Sequence, residues 1–304
     1  MASKMKFDGK NLLVIGSSGL TGEYFFEKVA KEKYKKRIKC LIREHSDVRH
    51  LERYGLNLEF KRVNFGDDEV LKKEMIGTDT VLNIAGIHLS ETITRCGKDA
   101  KVTWYICVHT AAIFYTHERN REKYIRIEKE LLETCENLTI LRPTMIYGND
   151  RDRNMHKVIK LVDKYPVLPL FGNGKSLISP IYARDLGNAY YSVLANRKLT
   201  FGKQYNLCGG TTITLVDLLQ ETAMRLGKKR YYVSLPIWFC LAVVYLAKFI
   251  LKSRVPVFVE QVKRSTEDRV VNCKNAHDDF GFAPIPFRDG IRKQIKDYRS
   301  RHLS

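Results

Sequence analysis

This sequence predicts an α/β fold: a doubly wound, mostly parallel sheet with a small C-terminal substrate lobe. Three observations carry the prediction. Short apolar runs rich in β-branched residues alternate with longer helix-like stretches. The first run, Leu12 to Ile15, passes straight into Gly16-Ser17-Ser18-Gly19-Leu20-Thr21-Gly22, and a helix-like stretch from Glu23 to Tyr34 follows. The chain has 304 residues, 44% of them hydrophobic, which is enough for one such sheet and a second small lobe.

The glycine-rich turn is the element around which the rest is arranged. Small residues let backbone N–H groups approach a pyrophosphate, and the helix N-terminus adds partial positive charge. An ordinary strand-to-helix turn is the alternative. Lys39 to Ile42 reads as the second strand and ends in Arg43. An acid at that position would accept from both ribose hydroxyls, whereas an arginine pairs with a 2′-phosphate. NADP is therefore favoured over NAD, with Glu44 left as a ribose ligand on the other reading. His45 to Tyr54 is expected to be a helix, and Leu58 to Val63 the third strand. After it, Asp67 or Asp68 is placed to cap the next helix. Thr80 to Ile84 is the fourth strand, and small Ala85 and Gly86 after it permit close approach of a ligand. Val102 to Val108 is the fifth, ending at His109-Thr110. Leu138 to Leu141 is the sixth and enters Arg142-Pro143-Thr144-Met145-Ile146-Tyr147-Gly148, where Pro143 fixes the turn.

The G-x-x-G-x-x-G spacing, with LRPTMIYG and SPIYARDL further on, resembles the short-chain dehydrogenase/reductase superfamily in its extended branch, the NAD-dependent epimerase/dehydratase family. The resemblance covers roughly Lys10 to Tyr298. It implies a Rossmann-type domain over residues 1–178, with later segments returning to it, and a mainly substrate-binding lobe over 179–304. It also implies roles: Asp67 facing the adenine, Ala85 and Gly86 along the cofactor's ribose and pyrophosphate, and Pro143 against the nicotinamide. Arg153, Asn154, Lys175 and Arg269 fall where the family binds a sugar nucleotide, although Arg153 and Asn154 also read as cap and charge and Lys175 as a solvated lysine, and Asn272 replaces the acid that usually follows the arginine. Arg142 is expected in a structural ion pair, and Asp185 as a helix cap that ties the lobes.

The chain departs from the family at its catalytic Y-x-x-x-K. Tyr124 is followed by Lys129, one place too late, which turns the lysine by ~100° on a helix. Counting back from Leu141 instead puts the family's acid at Glu128, its lysine position at Tyr124 and its tyrosine position at Asn120. The expected proton-handling residues are Thr110, Tyr124 and His109. The implied function is an NAD(P)-dependent oxidoreductase, epimerase or dehydratase of a sugar nucleotide or related carbohydrate. The alternatives are a dinucleotide-binding sensor or scaffold without turnover, and a membrane-associated reductase of a lipid.

Composition bounds the partners. The net charge of +19, from 53 Lys and Arg against 34 Asp and Glu, suits an anionic small-molecule substrate. The basic residues are dispersed and no nucleic-acid motif occurs, so no nucleic acid is expected, and no metal. The seven cysteines include no C-x-x-C pair and read as reduced, in a cytoplasmic protein. The start, MASKMKFDGK, lacks an apolar h-region. Leu235 to Leu251 is the most apolar stretch, shorter than the ~20 residues that span a bilayer. It reads as a lid helix or as a helix lying in a membrane interface, which would place the protein at the inner face of a membrane. Nothing in the sequence sets an oligomeric state.

Overall fold

The computed structural model describes residues 11–152, 154–242 and 262–302. Six strands form in order: β1 (Leu12–Ile15), β2 (Ile38–Ile42), β3 (Leu58–Arg62), β4 (Thr80–Asn83), β5 (Trp104–Val108) and β6 (Leu138–Pro143). Three two-residue strands and β8 (Val167–Phe171) follow, the short ones being β7 (Ile146–Tyr147), β9 (Leu177–Ile178) and β10 (Ile181–Tyr182). Last come β11 (Gln204–Leu207), β12 (Ile213–Thr214) and β13 (Tyr231–Leu235). Seven of them make one sheet in the order β11-β6-β5-β4-β1-β2-β3, and every pairing in it is parallel. The chain leaves β1 in both directions, so a crevice opens at the carboxyl ends of β1 and β4.

β1 is apolar throughout because both of its faces are covered. Leu12 and Val14 join a core with Phe25 and Phe26 of α1 (Leu20–Lys31) and with Leu186 and Tyr190 of α6 (Ala183–Ala195). Leu13 and Ile15 face the other way, onto Leu71 of α2 (Asp68–Met75), Ile93 of α3 (Ser90–Asp99) and Leu131 of α4 (Arg121–Thr134). A third core joins α5 (Met155–Lys164), α8 (Leu215–Arg225) and the C-terminal helix Phe287–His302 through Ile159, Leu218 and Ile291.

The expected helix from His45 to Tyr54 forms only as a 3₁₀ turn, Arg49–Tyr54, closed by Gly55 at φ 59°. Before it, Arg62 Nη1 donates to the carbonyls of Arg43 (3.3 Å) and Glu44, so the backbone there is held in a loop. Helix α1 starts three residues earlier than periodicity suggests, at Leu20, because Gly19 already serves as its N-cap. Asp185 does not cap α6. Its Oδ2 accepts from the Ile285 N–H at 2.9 Å and ties the C-terminal segment to that helix.

Burial pushes Asp185 up to about 6, against opposing pulls from the Ile285 hydrogen bond, Lys293 and Arg184. Its folded-state pKa lies above its unfolded value, so the folded state holds the extra proton between the two. Stability from this group is present at low pH and lost as pH rises through about 6. Asp185→Asn keeps the acceptor without the charge. It is expected to be on the order of 2 kcal/mol more stable than the parent at pH 7.5 and equal to it at pH 3.5, as measured by urea melts at both.

The expectation that all cysteines are reduced fails at one pair. Cys208 and Cys273 are joined in a disulfide with Cα atoms 6.1 Å apart. They lie 65 residues apart in sequence, and only the docking of the C-terminal segment beside β11 brings them together. The other five are free: Cys40, Cys96, Cys107 and Cys240 are buried and Cys135 is partly so.

Candidate functional site

A cleft of about 810 Å³ runs along the carboxyl ends of the strands. Its floor is the glycine turn. Gly16 has φ 89°, and a Cβ there would lie 2.7 Å from Ala85 N. A Cβ on Gly22 would lie 2.6 Å from the Gly16 carbonyl oxygen. These two glycines let α1 and β4 close on the turn. Gly19 is different: it is exposed, and a Cβ there would approach only Gly16 O, at 3.3 Å. Gly16, Ser18, Gly19, Leu20 and Thr21 line the cleft. Ser17 is fully buried beneath them, and Gly22 lies inside α1, so neither faces the ligand space as expected.

Arg43 and Ser46 line the far end, and Arg62 backs their loop. Sequence reading missed Ser46 and Arg62, because their nearness to Arg43 comes from the loop that replaces the expected helix. Asp67 is not among the lining residues. Its Oδ1 accepts from the Val70 N–H at 3.1 Å as the N-cap of α2, and Phe65 lines the wall instead.

Ala85, Gly86 and Pro143 line the middle, and a buried polar chain fixes the turn that carries the first two. Asn83 Oδ1 accepts from Ala85 N (3.0 Å), while its Nδ2 donates to Gly86 O (3.1 Å) and Ser90 Oγ (3.2 Å). Ser90 Oγ lies 3.0 Å from His109 Nε2, and His109 Nδ1 lies 2.9 Å from Glu128 Oε1. Arg142 Nε reaches both Glu128 oxygens, at 3.1 and 2.8 Å. Its Nη2 lies 2.6 Å from Glu128 Oε2 and 2.5 Å from Gln204 Oε1. With His109 neutral, one assignment gives every link a donor: Ser90 donates to Nε2 and His109 donates from Nδ1 to the carboxylate. Burial lowers the His109 pKa more than Glu128 raises it, which keeps the ring neutral. Burial pushes Glu128 up, but hydrogen bonds from His109 and Arg142 outweigh it and leave its pKa lowered.

His109 is one of the cleft-lining residues and is held as a satisfied polar residue at the strand mouth. Its side chain has no exposed surface and both ring nitrogens are engaged. It positions the Ala85-Gly86 turn. Thr110 and Tyr124 do line the cleft. Thr110 Oγ1 accepts from Ala112 N at 3.2 Å, which leaves its hydroxyl proton available to a ligand. The Tyr124 ring packs 5.5 Å from that of His88, and its hydroxyl lies 3.5 Å from Asn120 Nδ2. Tyr115, unremarked in the sequence, also lines the cleft; burial pushes its hydroxyl up to about 12.

At the substrate-side end, Arg151, Asn154, Ser179, Arg264 and Arg269 line the cleft. Arg269 Nε is buried with no hydrogen-bond partner among the described residues. Arg151 pairs with Glu23 and donates to Ser18 O at 3.4 Å, which couples this end to the glycine turn. Lys175 sits exposed on its turn, away from the lining, because the Asn173 side chain folds that turn back on itself. Arg153 lies outside the described residues, as does most of the apolar stretch from Leu235 to Leu251. Residues 237–242 of that stretch are helical, and Trp238 and Phe239 are exposed. Among the described residues no helix is long and apolar enough to cross a membrane.

Residues 12–139 match the saccharopine dehydrogenase NADP binding domain family. The chain is 25% identical over 285 residues to the mitochondrial NADH dehydrogenase [ubiquinone] 1 alpha subcomplex subunit 9 of Arabidopsis thaliana, covering 85% of this chain and 70% of that one. The same subunit of Dictyostelium discoideum is 23% identical over 235 residues, 71% of this chain and 64% of that one. Its fold matches that of a dTDP-glucose 4,6-dehydratase from Streptomyces venezuelae crystallised with NAD. The TM-score is 0.73 at 17% identity, over 96% of this chain and 98% of that one. The residues of the glycine turn suit a dinucleotide: Gly19 stands open where a pyrophosphate would approach.

Proposed function

We propose that this chain is an NADP(H)-dependent oxidoreductase of the epimerase/dehydratase type, acting on an anionic carbohydrate such as a sugar nucleotide. The observation that carries the reading is one continuous cleft with the glycine turn and Arg43 at one end and Arg264 and Arg269 at the other. The turn from Gly16 to Thr21 would hold the pyrophosphate, and Arg43 with Ser46 the 2′-phosphate. The dinucleotide would supply hydride transfer at its nicotinamide. Arg269 would pair with a substrate phosphate, and Thr110 and Tyr124 would hold the substrate oxygen and its proton in place of the absent Y-x-x-x-K pair.

The test is cofactor choice followed by turnover. NADPH is expected to bind about tenfold more tightly than NADH by fluorescence titration, and Arg43→Ala is expected to erase that difference while leaving NADH binding within about twofold. Preference for NADH in the parent would sink the 2′-phosphate assignment. A second reading, a dinucleotide-binding subunit without turnover, draws on the replacement of the family's tyrosine and lysine positions by Asn120 and Tyr124. Binding of the dinucleotide with neither conversion of any nucleotide sugar in a panel nor oxidation of NADPH by ketone acceptors would favour that reading.

A further inference from the structure

Residues 262–273 bridge the two walls of the cleft at its arginine end. On one side Arg269 N donates to Leu177 O (2.7 Å), Leu177 N donates to Asp268 Oδ1 (2.7 Å) and Ser176 Oγ donates to Ser265 O (2.6 Å). On the other side the Glu267 carboxylate accepts from the Thr116 and His117 N–H groups, and Arg264 pairs with Glu118 at 3.1 Å. The segment therefore carries Arg264 and Arg269 into the cleft on a handful of single hydrogen bonds, several of them solvent-exposed. Its one covalent tie within the described residues is at its end, where Cys273 joins Cys208.

The anchor point for that tie belongs to the cleft wall. Cys208 directly follows β11, whose last carbonyl, on Leu207, accepts from Thr144 N at 3.0 Å, and Gly209 N donates to Ser179 O at 3.2 Å. Thr144 and Ser179 both line the cleft. Both bonded cysteines are partly exposed, whereas four of the five free ones are buried. Access and thiolate character decide which cysteines exchange.

We propose that Cys208 and Cys273 are a reversible thiol–disulfide site whose reactant is a low-molecular-weight disulfide such as oxidised glutathione, and that oxidation fastens the arginine-bearing segment across the cleft. One protein thiolate attacks a sulfur of the small disulfide and expels one small thiolate. The second protein thiolate then attacks the mixed disulfide and expels the other. Two protein thiols are oxidised, the small disulfide is reduced to two thiols, and the protons pass to the released thiolates and buffer. This inference stands apart from the identity of the substrate, since it concerns how the segment is held.

The full chain is equilibrated with reduced or with oxidised glutathione, alkylated and mapped by peptide mass spectrometry, and amide hydrogen exchange is followed in both forms. The oxidised form is expected to yield a linked 208–273 peptide. The reduced form is expected to exchange amides 264–273 at least tenfold faster, with β1 to β5 unchanged. Cys208→Ser and Cys273→Ser, without glutathione, are each expected to match the reduced parent. Failure to find the linked peptide after oxidation overturns the proposal. So does equal exchange in the two forms, or acceleration spread evenly over the whole chain. All three are read on the unmutated protein.

Discussion

Glu128→Ala is expected to destabilise the fold by about 3–5 kcal/mol, the cost of leaving a buried charge without its partner. The charge is that of Arg142, which is 7% exposed and directs its guanidinium at Glu128 through both Nε and Nη2. Removing the carboxylate leaves Arg142 with Gln204 Oε1 as its remaining side-chain acceptor and strips the acceptor from His109 Nδ1. Glu128→Gln should cost less, because its Oε1 can still accept from Arg142. Its amide, however, would face the Nδ1–H of His109 and force the other tautomer, reversing the bond to Ser90 so that the serine hydroxyl loses its acceptor. The order of stability is therefore parent, Gln, Ala, measured by urea denaturation at pH 7.5. An alanine variant within 1 kcal/mol of the parent would show that the network does not hold the fold.

The same chain gives stability a pH dependence of known sign. The folded pKa of Glu128 is lowered, so its contribution is present at neutral pH and lost as pH falls through that value. His109 adds in the same direction: its folded pKa is lowered, so acid must charge a ring with no exposed surface. Asp185 acts oppositely, which is why its asparagine variant separates the two effects.

How much of this was legible beforehand follows from which interactions are local. The glycine turn and the parallel strands were readable because a strand buried on both faces has to be apolar throughout, as β1 is. Arg142 as an ion-pair partner was anticipated, and its mate Glu128 sits where the count back from Leu141 put an acid. The partners of His109 were hidden because a histidine at a strand mouth shows nothing in sequence of the serine and glutamate that engage it, 19 residues away on either side. Asp67 faced two roles, cap and ligand, and a cap is decided by the next three residues alone. Ser46 and Tyr115 could not be found, since each reaches the cleft through a loop shape that no periodicity encodes, and Arg62 backs the first of those loops. The Cys208–Cys273 pair was hidden for the same reason: 65 residues separate cysteines that meet only after the C-terminal segment docks.

The glycine turn offers the sharpest separation of structure from binding. Gly16→Ala must place a Cβ 2.7 Å from Ala85 N and 2.9 Å from Ile84 C, both backbone atoms that cannot rotate away, at a φ of 89° that L-residues avoid. Its expected cost is about 2–4 kcal/mol of stability. Gly19→Ala meets neither obstacle. Gly19 has φ −76° and ψ 167°, an ordinary extended conformation, and its added Cβ would touch only Gly16 O at 3.3 Å. Alanine is a poorer N-cap than glycine, a loss of about 1 kcal/mol at most. What the new methyl does occupy is the open side of the turn, where backbone N–H groups would otherwise reach a pyrophosphate. Gly19→Ala is therefore expected to weaken NADPH binding by about a hundredfold, ~2.7 kcal/mol, while unfolding nearly as the parent does. Calorimetric titration with NADPH, beside a urea melt of the same sample, reads both quantities. Unchanged affinity in a folded Gly19→Ala would mean that the turn is only a turn, and the cofactor assignment for every residue from Gly16 to Thr21 would fall with it.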